Sequence, residues 1–183
     1  MDTYRRRKPA LLLAAALAAL IFGGTTYPAA AVSASPRNVR VRVGRTDYRF
    51  LFRSAQRSLF EYRAARLAQS RATRGSVRDY ARGVVRAHSA RQTELSRVLR
   101  DKGLTPPNSP SATDKRRLAR LSALRGAAFE RAYIREAVRI NQEDRTAARR
   151  EARLTRDRDI QDYLRRFAPT DQAQLRGAVA LRR

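Results

Sequence analysis

Residues 76–102 constrain this chain most. Val77, Tyr80, Ala81, Val84, Val85, Leu95, Val98 and Leu99 recur there at steps of three and four, which puts them on one stripe of an α-helix. His88, the only histidine in the sequence, falls on the same stripe. Ser76 stands where a side chain can cap the first amides. Gly103, with Pro106 and Pro107 behind it, supplies a stop. A helix of this length spans roughly 40 Å. An apolar stripe that long is stable only against partner helices along its whole length.

The rest of the chain supplies those partners. A first helix is expected over 47–71, capped by Thr46 or Asp47, with Leu51, Phe52, Ala55, Leu59, Phe60, Tyr62 and Leu67 on a wide apolar face. Glu61 sits within that face and reads from helical spacing as a solvated carboxylate beside Arg57 or Arg66. Residues 103–112 are a loop, and Ser111 with Asp114 makes a capping-box-like start to a short helix over 113–123. Gly126 marks a restart, and a long helix follows to about Leu154 through Phe129, Tyr133, Ile134, Val138 and Ile140. Its second half is polar with alanines at Ala147, Ala148 and Ala152, so it either projects beyond the core or packs closely through alanine. The last helix starts near Asp157 and uses Ile160, Tyr163, Leu164 and Phe167; Pro169 should kink it, and Leu175, Ala178, Val179 and Leu181 resume the period to an end near Leu181. Val84, Val85, Leu95, Phe129, Tyr133, Leu164 and Phe167 are expected to be buried on facing helices. The pattern gives an all-α fold: an antiparallel four-helix bundle over 47–183, with a short extra helix before the third long one.

Ahead of the bundle, residues 1–31 have the marks of a signal peptide. Arg5, Arg6, Arg7 and Lys8 precede an apolar run from Ala10 to Phe22, and Ala29 and Ala31 form a small-x-small cleavage site. The expected mature start lies between Val32 and Ser35, and an uncleaved anchor is the other outcome. The run is shorter than the roughly 20 residues of a comfortable membrane span. Residues 32–46, with Ser33, Ser35, Pro36 and Gly44, read as a flexible leader. The expected location is the periplasm or cell envelope. There is no Cys, so neither a disulfide nor a lipoprotein anchor is available. The charge is +25, from 41 basic and 16 acidic residues. Nearly all of the basic residues are arginine, which fits either the coding bias of a GC-rich genome or affinity for polyanions.

Four segments carry a resemblance. Ala81-Arg-Gly-Val-Val-Arg-Ala-His88 with Leu95, and Leu121-Ser-Ala-Leu-Arg-Gly-Ala-Ala-Phe-Glu-Arg-Ala-Tyr-Ile134, are the longer two. Phe167-Ala-Pro-Thr170 and Glu61 are the others. Together, over about residues 47–181, they resemble a bacterial exported family of unknown function, DUF4142. That resemblance implies a ferritin-like bundle. It also marks this chain as a divergent member. Ala87 and Glu130 stand where the family usually has aspartate, and Asn141 and Gln174 where it usually has histidine. A di-metal bundle site needs carboxylates and histidines from facing helices. Glu61, His88 and Glu130 are the weak candidates if a metal site exists, and none is expected.

No nucleophilic Cys, Ser-centred elbow or Gly-rich phosphate loop occurs. The expectation is therefore an exported binding or structural module without catalysis and without a cofactor. The alternatives are a strongly basic polyanion-binding protein and a degenerate metal-binding ferritin-like protein. As a polyanion binder it would take lipopolysaccharide, anionic lipid or wall polymer, and nucleic acid only without sequence preference. Arg145, Arg149, Arg150 and Arg153 are the candidate polyanion contacts.

Overall fold

The computed structural model describes residues 43–182. The expected signal peptide, and all of the expected leader before Val43, lie outside the described residues. Those that are described form five helices: α1 (Arg45–Arg71), α2 (Gly75–Asp101), α3 (Ala112–Ala123), α4 (Gly126–Leu154) and α5 (Arg158–Ala180). The helix α1 packs on α2 and α4, and α5 packs on both α2 and α4, so the four long helices close a bundle. The short α3 lies against α1 and α4. Among the described residues no helix is long and apolar enough to cross a membrane.

The starts and stops divide into local and tertiary ones. At the end of α2, Gly103 takes φ 70°, and the Leu104 amide donates back to the Leu99 carbonyl at 2.9 Å. That left-handed turn favours glycine. Ser111 Oγ accepts from the Asp114 amide at 3.1 Å to open α3. Asp157 Oδ1 accepts from the amides of Asp159 and Ile160 to open α5. The expected caps of the first two helices are different. The first helix begins at Arg45, two residues inside the expected leader, and neither Thr46 nor Asp47 caps it. Ser76 caps nothing either, because α2 already begins at Gly75. The last helix runs through Pro169 to Ala180, as expected, with Leu181 as its C-cap.

Two apolar clusters fill the bundle. One gathers Phe60, Ala64, Ala68, Val77, Val84, Phe129, Tyr133 and Ile140. The other gathers Leu51, Ala55, Leu95, Val98, Leu99, Ile160, Tyr163 and Phe167. Five of the seven expected core residues are buried; Val85 and Leu164 sit half-buried at the margin of the clusters. On α1 the buried residues are Leu51, Ala55, Ser58, Phe60, Glu61, Ala64, Ala65 and Ala68, while Phe52, Leu59, Tyr62 and Leu67 are half-buried. Five of these are alanine or serine, which lets neighbouring helices approach closely. A similar close approach occurs at Gly177, where a Cβ would lie 3.1 Å from the Tyr80 ring.

Candidate functional site

On α2 the two apolar clusters are separated by His88 and Arg91, and the other long helices contribute polar residues to the same layer. Ser58 and Glu61 come from α1, His88 and Arg91 from α2, Asn141 and Asp144 from α4, and Asp171 and Gln174 from α5. His88 is 1% exposed. Its Nδ1 stands 3.1 Å from Ser58 Oγ, and its Nε2 stands 3.4 Å from Glu61 Oε2 at ion-pair distance. That Nε2 lacks the alignment of a hydrogen bond. Glu61 is thus buried against the histidine, not solvated beside Arg57 or Arg66. Asn141 is turned back on its own helix, donating to the Ala137 carbonyl at 2.8 Å.

Charge in this layer is balanced by pairing. Arg91, almost fully buried, pairs with Asp171 and lies 4.9 Å above the Phe167 ring. Burial works against the Arg91 charge, but Tyr163, Asp171 and Glu61 keep its pKa above the ordinary value. Burial also pushes the hydrogen-bonded Glu61 and Asp144 carboxyls upward. At Glu61 the neighbouring His88 and Arg91 outweigh burial, and the net shift is downward. At Asp144 burial and the Glu61 charge prevail, and its carboxyl is held well above the usual range. Asp144 also stands 3.9 Å from Arg57 Nη1, at the rim of the layer.

Ser58, His88 and Glu61 have the residue types of a nucleophilic triad without its setting. Ser58 is 1% exposed. It also lies mid-helix, where backbone amides are spent in the helical ladder and leave no oxyanion hole. A metal fits no better. Asn141 and Gln174 offer neutral amides, Arg91 places a guanidinium in the same layer, and Glu61 is engaged by His88 and Asp144. Among the described residues, no group of three or more His, Cys, Asp or Glu side chains is placed to hold a metal ion.

Of the three weak metal candidates, Glu61 and His88 meet and Glu130 stands apart from them. Glu130 Oε1 accepts from the Thr73 amide at 2.5 Å, the Thr73 hydroxyl at 2.8 Å and the Arg74 amide at 2.7 Å. Its Oε2 accepts from Arg74 Nε at 2.8 Å. Burial pushes this carboxyl up, but the donors from Arg74 and Thr73 win and hold it down at about 2. Glu130 thus ties the link between α1 and α2 to α4, while the first amides of α2 receive no side-chain cap.

The candidate polyanion contacts lie on the second half of α4. Arg149, Arg150 and Arg153 are exposed and Arg145 is half-buried. Neither expectation for this half holds. It does not project free, because Glu151 is buried at its centre beside Asp47 of α1. Nor do its alanines pack tightly: Ala147, Ala148 and Ala152 line an open cavity. Arg150 borders a groove with Arg49, Arg53, Arg57 and Arg139, but Glu143, Asp144 and Glu151 are interleaved there. A second groove, of about 830 Å³ between α1 and α3, is lined by Arg63, Arg66 and Lys115 with apolar and neutral residues, and among the described residues no carboxylate borders it.

Arg91, Asp144, Asp171 and Glu151 escape a reading based on resemblance or on exposed charge. A signal for the first three exists in spacing. Arg91 follows His88 by three, Asp144 follows Asn141 by three, and Asp171 precedes Gln174 by three. Those steps keep a side chain on the inward stripe.

Comparison with curated proteins and with solved structures returned no match. The family profile described as Domain of unknown function (DUF4142) matches residues 30–181, nearly the whole chain. The chain belongs to the DUF4142 family.

Proposed function

We propose that this protein is a non-catalytic binding module of the cell envelope that presents arginine-lined grooves to anionic polymers. The observation that carries the reading is the groove between α1 and α3. It gathers Arg63, Arg66 and Lys115, and among the described residues no carboxylate lines it. On a chain of net charge +25 this gives a strong local positive field. The enclosure of Ser58 and His88 supports the absence of catalysis. The charged start, apolar run and small residues of 1–31 support export. We also read the bundle as antiparallel and ferritin-like. The pairing of Arg91 with Asp171 and the contact of Tyr80 with Gly177 support the first, since numbering rises on α2 as it falls on α5.

The test is a salt titration of binding to heparin, lipopolysaccharide and duplex DNA. For DNA, the logarithm of affinity falls by about 0.9 per phosphate contact for each decade of salt. Replacing Arg63, Arg66 and Lys115 together with Gln should flatten the slope by about 2–3. The Arg145, Arg149, Arg150 and Arg153 quadruple Gln variant should flatten it less, because carboxylates border that face. A larger effect of the quadruple variant moves the surface to α4. Absence of binding to all three polymers at low salt overturns the reading.

A further inference from the structure

A cavity of about 270 Å³ opens between α1, α4 and α5 beside the polar layer. Its volume lies just under the roughly 300–1,000 Å³ of small-molecule pockets. The walls are apolar: Phe50 from α1, Ala148 and Ala152 from α4, Leu164 and Phe167 from α5. The space exists because the second half of α4 carries alanines where a packed bundle would place larger side chains. Helical interiors close such voids when they can, since an unfilled one is destabilising.

The polar groups are arranged by depth. Arg91 and Asp171 form their own ion pair, and Phe167 lies against the guanidinium. Asp144 stands 3.9 Å from the Arg57 guanidinium, which offsets its charge. Arg149 and Arg165 are exposed residues of the lining. The pairing of Arg165 with Asp162 is a solvent-exposed one on a single helix turn, which a ligand can displace at little cost. The lining therefore combines an apolar body with an excess of positive charge. It is complementary to an anion with an aliphatic tail.

We propose that this cavity binds a medium-chain carboxylate, its tail against Phe50, Ala148, Leu164 and Phe167 and its headgroup paired with Arg149 and Arg165. At about 30 Å³ per heavy atom, the share of a molecule in liquid water, the cavity takes a tail of roughly nine carbons. The assignment is independent of the polyanion groove between α1 and α3 and does not rest on it.

Decanoate is the probe, with decanol and decyltrimethylammonium as neutral and cationic counterparts, each below its micelle-forming concentration. Calorimetry on the full chain should show one saturable decanoate site. Decanol should bind at least about tenfold more weakly, and the cation not at all. Ala148→Phe, which fills the cavity, should remove decanoate binding while the thermal transition and heparin binding persist. If Ala148→Phe does not fold, Ala152→Phe places a ring in the same space from a position already exposed. Arg149→Gln with Arg165→Gln should reduce decanoate to the affinity of decanol. Equal binding of decanoate and decanol by the wild type overturns the proposal. So does unchanged decanoate affinity in a folded cavity-filling variant, or the absence of saturable binding. Loss of heparin binding in the Arg63, Arg66 and Lys115 variant with decanoate binding intact separates the two sites.

Discussion

Glu130 shows how much one carboxylate can organise. It receives two backbone amides, a hydroxyl and a guanidinium nitrogen at the link between α1 and α2. Its folded pKa, held near 2, lies below the ordinary value of 4.5. The stabilisation is therefore present above about pH 4.5 and is lost as pH falls toward 2. Glu130→Gln should cost about 1.5–3 kcal/mol at pH 7, the scale of hydrogen bonds to a charged group. The difference from wild type should shrink in denaturation curves recorded below about pH 3. A constant difference across that range would mean that the charge contributes nothing. Next to it, Phe129 is fully buried and stacks on Tyr133 with ring centroids 6.1 Å apart. Phe129→Ala should cost about 3–5 kcal/mol at any pH in this range. A loss below about 1 kcal/mol in equilibrium denaturation would contradict the packing described.

At the scale of the element, the second half of α4 is the informative case. Its period reads as polar and exposed, yet Glu151 is 3% exposed. Burial, and then the nearby Asp47 carboxyl, push the Glu151 pKa up to about 7, against an opposing pull from Arg150. A raised folded value means that the native state holds a proton the unfolded chain has released. The stabilisation is complete below about pH 4.5 and is lost as pH rises through about 7. The melting temperature should therefore fall between pH 5 and pH 8. Glu151→Gln, which mimics the protonated form, should remove most of that fall. An unchanged pH profile in the variant would assign the dependence to another group. The helix ends divide in the same way. Gly103, Ser111 and Asp157 act within their own segments, so each is readable from the sequence. The carboxylate that binds the Thr73 and Arg74 amides ahead of α2 comes from α4, and no local pattern announces it.

For the molecule as a whole, charge dominates. With 41 basic against 16 acidic residues, most arginines cannot find a carboxylate. Self-repulsion among them opposes the compact state. Raising ionic strength from about 0.01 M to about 0.15 M shortens the screening length from about 30 Å to about 8 Å. The melting temperature should rise over that interval, since more repulsive pairs than ion pairs are screened. A fall would mean that the ion pairs outweigh the net charge. Buried pairs such as Arg91–Asp171 should respond little, because solvent ions do not reach them.

The sequence by itself determined the class of fold and where the helices lie. Apolar residues at steps of three and four fix a helix from local geometry alone, as in residues 75–101. The inward position of His88 followed from the same rule. Tertiary structure decided what those positions face. Whether Glu61 meets water or His88 depends on the rotation of α1 against α2, and a polar residue beside an apolar stripe is compatible with both. Asp144 and Asp171 acquire their surroundings only when α1, α2, α4 and α5 close on one another. The cavity beside them is the difference between the space three helices enclose and the volume their alanines fill, a quantity set by packing across helices and not by the order of residues along one.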